Sequence, residues 1–143
     1  MAYKYSTTIT ENCAKAVGVG LAISRKQSVQ ICQAIRGMNV QKAKKYLEEV
    51  ILLKRPVPYT KNNKNVGHRA GMASGRYPIK ASKQILNLLK SAEANAQFKG
   101  LSTGNLIIKH SIAQKGPSTR RYGRKNMKAK SSHIELVVEE VKK

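Results

Sequence analysis

Aspartate and tryptophan are absent from this sequence, phenylalanine occurs once and cysteine twice. The 7 acids are all glutamate and stand against 28 lysines and arginines, so the formal net charge is +21 over 143 residues. Acid/base catalysis, or a metal held by carboxylates, needs convergent groups with matched pKa values, and the inventory for either is thin. Glu48 and Glu49, like Glu139 and Glu140, are neighbours in sequence. They therefore project from different faces of a helix or strand and read as solvated surface charges rather than as a catalytic pair.

Cys13 and Cys32 lie too far apart for a CxxC motif, and no His or Cys nearby completes a four-ligand zinc site, so neither a metal nor a cofactor is expected. A disulfide between them has no support, and the thiols are expected to be reduced in a cytoplasmic protein. The opening MAYKYSTTIT lacks the apolar stretch of a secretion signal, and no run approaches the roughly 18 apolar residues that span a bilayer. Gly18-Val19-Gly20 lacks the third glycine of a dinucleotide loop, and no GxxxxGK[ST] appears.

What is present is positive charge, and its distribution is informative. No acid lies between Glu49 and Glu93, and none between Glu93 and Glu135, while lysine and arginine are frequent in both intervals. Self-repulsion on this scale opposes compaction unless a polyanion supplies counter-charge, which points to nucleic acid ahead of an anionic membrane surface. The 41% hydrophobic content still allows one modest core, so the expectation is a single domain over 1–143 with something attached.

Three helices and a few strands can be read from the pattern. A short strand is expected near 12–17, with Gly18 and Gly20 interrupting any continuous element. Ser24 is a candidate N-cap and Gly37 a candidate stop for a helix over about 25–36, whose Ser28, Ile31, Cys32 and Ile35 share a face. Asn39 can cap a second helix carrying Val40, Ala43, Leu47, Val50 and Ile51, ending before Pro56. The third, from about Lys80 to Phe98, has Ala81, Ile85, Leu88, Leu89, Ala92 and Ala96 on one face and Gly100 as its stop. Small Ala92 and Ala96 suit a helix lying across a sheet.

From Asn105 the period becomes two, with Leu106, Ile108, His110 and Ile112 expected on one face. Ile134, Leu136 and Val138 alternate in the same way with Glu135 and Glu139, so these two segments are expected to pair as an antiparallel hairpin. The fold class is therefore α+β, three helices packed on a small antiparallel sheet, with a long protruding hairpin arm at about 113–132.

Two segments carry most of the candidate contacts. Residues 54–77 are scattered with Pro56, Pro58, Asn62, Asn63, Gly67, Gly71 and Gly75, which precludes a regular element. Loops of this length usually have a task, and Lys54, Arg55, Lys61, Lys64, Arg69 and Arg76 make phosphate binding the expected one. The arm holds Lys115, Arg120, Arg121, Arg124, Lys125, Lys128 and Lys130 without an acid. With a tip near Tyr122-Gly123 it could extend about 25 to 30 Å at ~3.3 Å per residue. Alone it buries too little to offset backbone entropy of ~1 to 2 kcal/mol per residue, and among phosphates it can order. Both ends are clamped by strands, and Tyr122 can stack on a base.

His110 reads as a core or edge histidine with a hydrogen-bonded ring, whereas His68 and His133 are equally consistent with RNA contact and with plain exposure. A chromatin or DNA-binding protein would share the charge, but no helix-turn-helix or zinc finger is placed to read a groove. An RNA-processing enzyme would need an acid/base pair or metal that is missing.

Several stretches together resemble a known family: Ile23-Ser24-Arg25-Lys26 leading to Ile35-Arg36-Gly37, Leu52-Leu53-Lys54-Arg55-Pro56-Val57-Pro58, Val66-Gly67-His68-Arg69, and Gly75-Arg76-Tyr77-Pro78-Ile79-Lys80-Ala81-Ser82. Ala92-Glu93-Ala94-Asn95-Ala96, Lys99-Gly100-Leu101 and His133 through Glu140 extend the likeness along nearly the whole chain. The family is universal large-subunit ribosomal protein twenty-two, in its archaeal and eukaryotic form. The resemblance implies a non-enzymatic cytoplasmic protein of the large ribosomal subunit that binds ribosomal RNA and aids assembly. Its body anchors would be Arg25, Lys26, Lys54, Arg55, Lys61, Lys64, His68, Arg69, Arg76, Lys80 and Lys83.

The resemblance further implies that the hairpin reaches the wall of the peptide exit tunnel near large-subunit protein four. Arg120, Arg121, Tyr122, Gly123 and Arg124 would then be tunnel-wall residues, meeting nascent peptide transiently. Gly116-Pro117-Ser118 departs from the family's more basic run, which leaves the residue at the very tip open. Neither a membrane partner nor a homo-oligomer is expected.

Overall fold

A computed structural model describes residues 3–8, 10–124 and 127–141. Three helices, α1 (Arg25–Ile35), α2 (Val40–Ile51) and α3 (Ile79–Phe98), pack on one face of an antiparallel sheet of β1 (Cys13–Leu21), β4 (Leu106–Lys115) and β5 (Ser132–Glu140). A two-stranded ribbon, β2 (Val57–Pro58) with β3 (Gly75–Arg76), lies within the long loop.

The sheet order is β1-β5-β4, which makes the C-terminal strand the central one. That explains why Val137 breaks the polar side of its alternation. A central strand is covered on both faces, and every residue from Ile134 to Val138, Glu135 included, is buried. On the helical side Leu106, Ile108, Ile134, Leu136 and Val138 join Ile31, Ile35, Leu47, Ile85 and Leu89 in one hydrophobic cluster. Each fully buried large aliphatic side chain contributes about 1.5 to 3 kcal/mol relative to exposure.

The helices begin and end for legible reasons. Asn39 accepts a hydrogen bond from the Gln41 backbone N–H at 2.9 Å, capping α2 as its position suggests. Gly37 takes φ +79, which ends α1, and residues 37–38 then pair with the edge of β4 through Gly37 N to Ile108 O and Ile108 N to Met38 O, each 2.9 Å. Ser24 occupies the N-cap position of α1 but makes no side-chain cap bond. Its carbonyl instead accepts from both the N–H and the hydroxyl of Ser28.

Two strand expectations need correction. The first strand is not confined to 12–17 but continues through Gly18 to Leu21, with a register shift between those two residues. Gly18 pairs with Ile134 in the ladder, and the space a side chain would take there is filled by neighbouring leucines. A Cβ there would meet Leu88 Cδ1 at 2.8 Å and Leu21 Cδ1 at 2.7 Å. The second correction concerns β4, where the shared face of Leu106, Ile108, His110 and Ile112 ends at Ile108.

A bulge between Ile108 and His110 inverts the alternation, so Ser111 joins Leu136 on the helical side. His110 and Ile112 move to the opposite face, beside Val137 and Glu135. There the N-terminal segment covers the sheet. Tyr3 Oη donates to Glu135 Oε1 at 2.9 Å, and the Ser6 N–H and hydroxyl donate to Oε2 at 3.0 and 2.7 Å.

Candidate nucleic-acid interface

Residues 54–77, expected to hold no regular element, contain the short ribbon of β2 with β3, which closes the loop, and backbone bonds account for the rest of its shape. Tyr59 N donates to Ser74 O at 2.8 Å, Arg69 N to Ala73 O at 2.7 Å and Gly75 N to Gly67 O at 3.3 Å, so the loop doubles back on itself. Gln30, buried in α1, pins the near end by donating to Lys61 O and accepting from Thr60 N, both at 3.1 Å. Lys54, Arg55, Lys61, Lys64, His68, Arg69 and Arg76 remain exposed around it.

Three of its arginines lie against aromatic rings. The guanidinium of Arg55 sits 4.9 Å from the Tyr46 ring centroid, that of Arg69 5.2 Å from Tyr77, and that of Arg76 5.8 Å from Tyr59. Stacking restricts the side chain without consuming its in-plane donors, so less rotamer freedom is lost when a phosphate arrives. Burial pushes the Tyr46 and Tyr59 hydroxyls up from their ordinary pKa, and the guanidinium beside each partly opposes this. The tyrosines were not singled out by reasoning from sequence. Their signal was present in Tyr59 and Tyr77, each close in sequence to a basic loop residue, but which ring meets which arginine depends on how the loop closes.

A second cluster forms where the arm leaves the sheet. Arg25 and Lys26 in the first turn of α1 line a cleft of about 470 Å³ together with Lys115, Lys128 and Lys130 from the two sides of the arm. No acid lines it. The unpaired N–H groups of a helix N-terminus favour anions, and the surrounding cations add to that field. These five residues come from positions as far apart in sequence as Arg25 and Lys130, and the antiparallel pairing of β4 with β5 over α1 brings them together.

Past Lys115 and Ser132 the pairing continues less regularly. Gly116 N bonds Ser131 O at 3.1 Å, Ala129 N bonds Thr119 O at 2.7 Å, Arg121 N bonds Met127 O at 2.8 Å, and Arg120 bridges Lys128. Arg120, Arg121, Tyr122, Gly123 and Arg124 are all exposed at the far end. Lys125 lies outside the described residues. Lys80 and Lys83 are exposed on the first turns of α3, apart from the arm cleft. Among the described residues, Arg55 is the one candidate contact with a carboxylate within 4.0 Å, Glu49 at 3.8 Å.

The other titratable groups have structural work. His110 Nε2 lies 3.1 Å from Ser6 Oγ and 3.7 Å from Glu135, a half-buried edge histidine with its ring bonded. His133 Nδ1 accepts from Gly20 N at 3.0 Å, and His68 is exposed with its backbone bridged to Ser74. Burial would raise the Glu135 carboxyl, but the hydrogen bonds from Ser6 and Tyr3 and the nearby His110 outweigh it and hold its pKa below the ordinary value. Cys13 and Cys32 are free and buried, and burial lifts the Cys32 thiol to about 11. No group of three or more potential metal ligands occurs among the described residues.

The family model described as ribosomal protein L22p/L17e matches residues 16–139. The chain belongs to this family. It is 45% identical over 123 residues to the large ribosomal subunit protein uL22 of Archaeoglobus fulgidus, covering 84% of this chain and 79% of that protein. It is also 43% identical over 147 residues to the uL22 of Methanocaldococcus jannaschii, covering 96% and 94%, and 47% identical over 132 residues to that of Methanocella arvoryzae, covering 90% and 86%. The resemblance carried by the sequence motifs is thereby established, and this L22p/L17e protein is a ribosomal structural protein rather than an enzyme. The matched range runs from within β1 to the end of β5 and contains every candidate cation from Arg25 to Lys130.

Proposed function

We propose that this L22p/L17e chain is a structural constituent of the large ribosomal subunit in the cytoplasm, holding ribosomal RNA through its loop and arm root and aiding assembly. The observation that carries the reading is the acid-free cleft in which Arg25, Lys26, Lys115, Lys128 and Lys130 meet. Five cations without a carboxylate repel one another and need an external polyanion. A backbone phosphate at the start of α1 would be held both by helix N–H groups and by charge.

The loop cations Lys54, Arg55, Lys61, Lys64, Arg69 and Arg76, with His68, and Lys80 and Lys83 on α3, extend this contact over the body. The arm, counted from about 113 to 132, orders fully among RNA phosphates. Its end, at Arg120, Arg121, Tyr122, Gly123 and Arg124, contributes to the wall of the peptide exit tunnel beside large-subunit protein four and meets nascent peptide in passing. Lys125 belongs to the same basic run by sequence. The test is crosslinking of purified, salt-washed large subunits with mapping of the linked nucleotides. Discrete crosslinks from 115–130 and from Arg25 to large-subunit rRNA are expected. Loss of the protein at high salt, with scattered crosslinks, would replace this reading with a general nucleic-acid binder.

A further inference from the structure

A groove separate from the arm cleft runs between the last turns of α1 and the stretch of β4 from Ser111 to Ala113, past the residues that pair with 37–38, with a volume of about 400 Å³. Its two charged residues, Arg36 and Lys61, are both cations. Arg36 Nη2 donates to Ser111 O at 2.7 Å, which fixes the guanidinium at the groove while leaving its other N–H groups free. No carboxylate lies within 4.0 Å of Arg36 among the described residues. Gln33 is exposed at the lip of the groove, 3.1 Å from the Thr60 hydroxyl. Lys61 supplies an ammonium from the opposite lip, its backbone held in place by Gln30.

Ser111 is fully buried at the back of the groove, beside the Cys32 thiol. The remaining lining, with Val29 and Ile112 half-buried, is apolar. Fixed donors and a mobile cation beside an apolar wall suit a ligand that combines an anionic acceptor with a flat or apolar body.

We infer that this groove binds one nucleotide of single-stranded RNA, its phosphate between Arg36 and Lys61 and its ribose or base against Val29 and Ile112. The inference rests on the ribosomal reading and adds a site away from the arm, in which Arg36 is the new contact. A protein side chain is the lesser fit, because an acidic residue would satisfy the cations and leave the apolar wall bare.

The test uses whole large subunits reconstituted with full-length protein carrying an iron chelate on a single introduced surface cysteine, either Gln33→Cys at the groove or Ser118→Cys at the arm cleft. Hydroxyl-radical cuts in the rRNA are mapped for subunits that have incorporated the protein. Discrete cuts at an unpaired nucleotide from position 33, weakened several-fold when Arg36→Gln is added while cuts from position 118 persist, are the expected result. Cuts from 118 with none from 33 would overturn the groove site and leave the ribosomal reading standing. Cuts from 33 that ignore Arg36→Gln would also overturn it, since RNA would then pass by without using the site. Absence of cuts from both positions would likewise overturn the groove site, whereas failure of the protein to enter large subunits at all would remove the ribosomal reading itself.

Discussion

The Ser6 hydroxyl donates to Oε2 of Glu135 at 2.7 Å, joining the N-terminal segment to the middle of the central strand. Glu135 is also reached by Tyr3 and by Gln114 Nε2 at 2.8 Å, so a carboxylate 1% exposed is fully hydrogen-bonded instead of stranded. A sheet with helices on one face has its other face covered here by the N-terminal segment, with Glu135 as its buried anchor.

Glu135 therefore makes stability depend on acid. Its folded pKa is depressed below the ordinary 4.5, so its contribution is fully present above that value and is lost as the pH falls through the lower, folded value. Glu135→Gln is expected to cost about 2 kcal/mol near neutral pH and to flatten the loss of stability below pH ~4. Urea unfolding followed across pH checks both. A variant as acid-sensitive as the parent would mean that other carboxylates dominate.

Stacked arginines predict a graded response at Tyr77. Tyr77→Leu removes the ring face under Arg69 and should weaken rRNA binding about two- to fivefold, the equivalent of ~0.5 to 1 kcal/mol. Tyr77→Phe keeps the face and should bind like the parent. Equilibrium binding at one fixed salt concentration separates the two, and equal losses in both variants would point to the hydroxyl instead.

For the arm, replacing Arg120, Arg121 and Arg124 together by glutamine should leave the melting temperature of the free protein unchanged, since all three are exposed. If all three neutralise phosphates, the slope of log affinity against log salt should become shallower by about 2. An unchanged slope would place those arginines away from the backbone.

Core packing gives a contrast within one helix. Leu89→Ala empties a fully buried site and should cost about 3 kcal/mol, whereas Phe98→Ala, at a residue 95% exposed, should cost close to nothing. Denaturant midpoints measure both in the isolated protein. A large loss at Phe98 would reveal a packing partner that its exposure does not suggest.

Much of this was legible in one dimension because local rules decide it. The α3 stripe from Ala81 to Ala96, the Asn39 cap and the Gly37 stop follow from side-chain periodicity and backbone sterics alone, and net charge alone implies a polyanionic partner. The acid-free runs located the candidate contacts without showing how they group. Only the tertiary structure decided that β5 is central, that a bulge turns Ser111 inward and His110 outward, and that Gly18 continues a strand paired with Ile134. It also set Arg25 beside Lys128 and aligned three arginines on three tyrosines. Those arrangements arise from contacts between residues far apart in sequence, whose energies depend on register and closure, and neither quantity is written in the periodicity of any single segment.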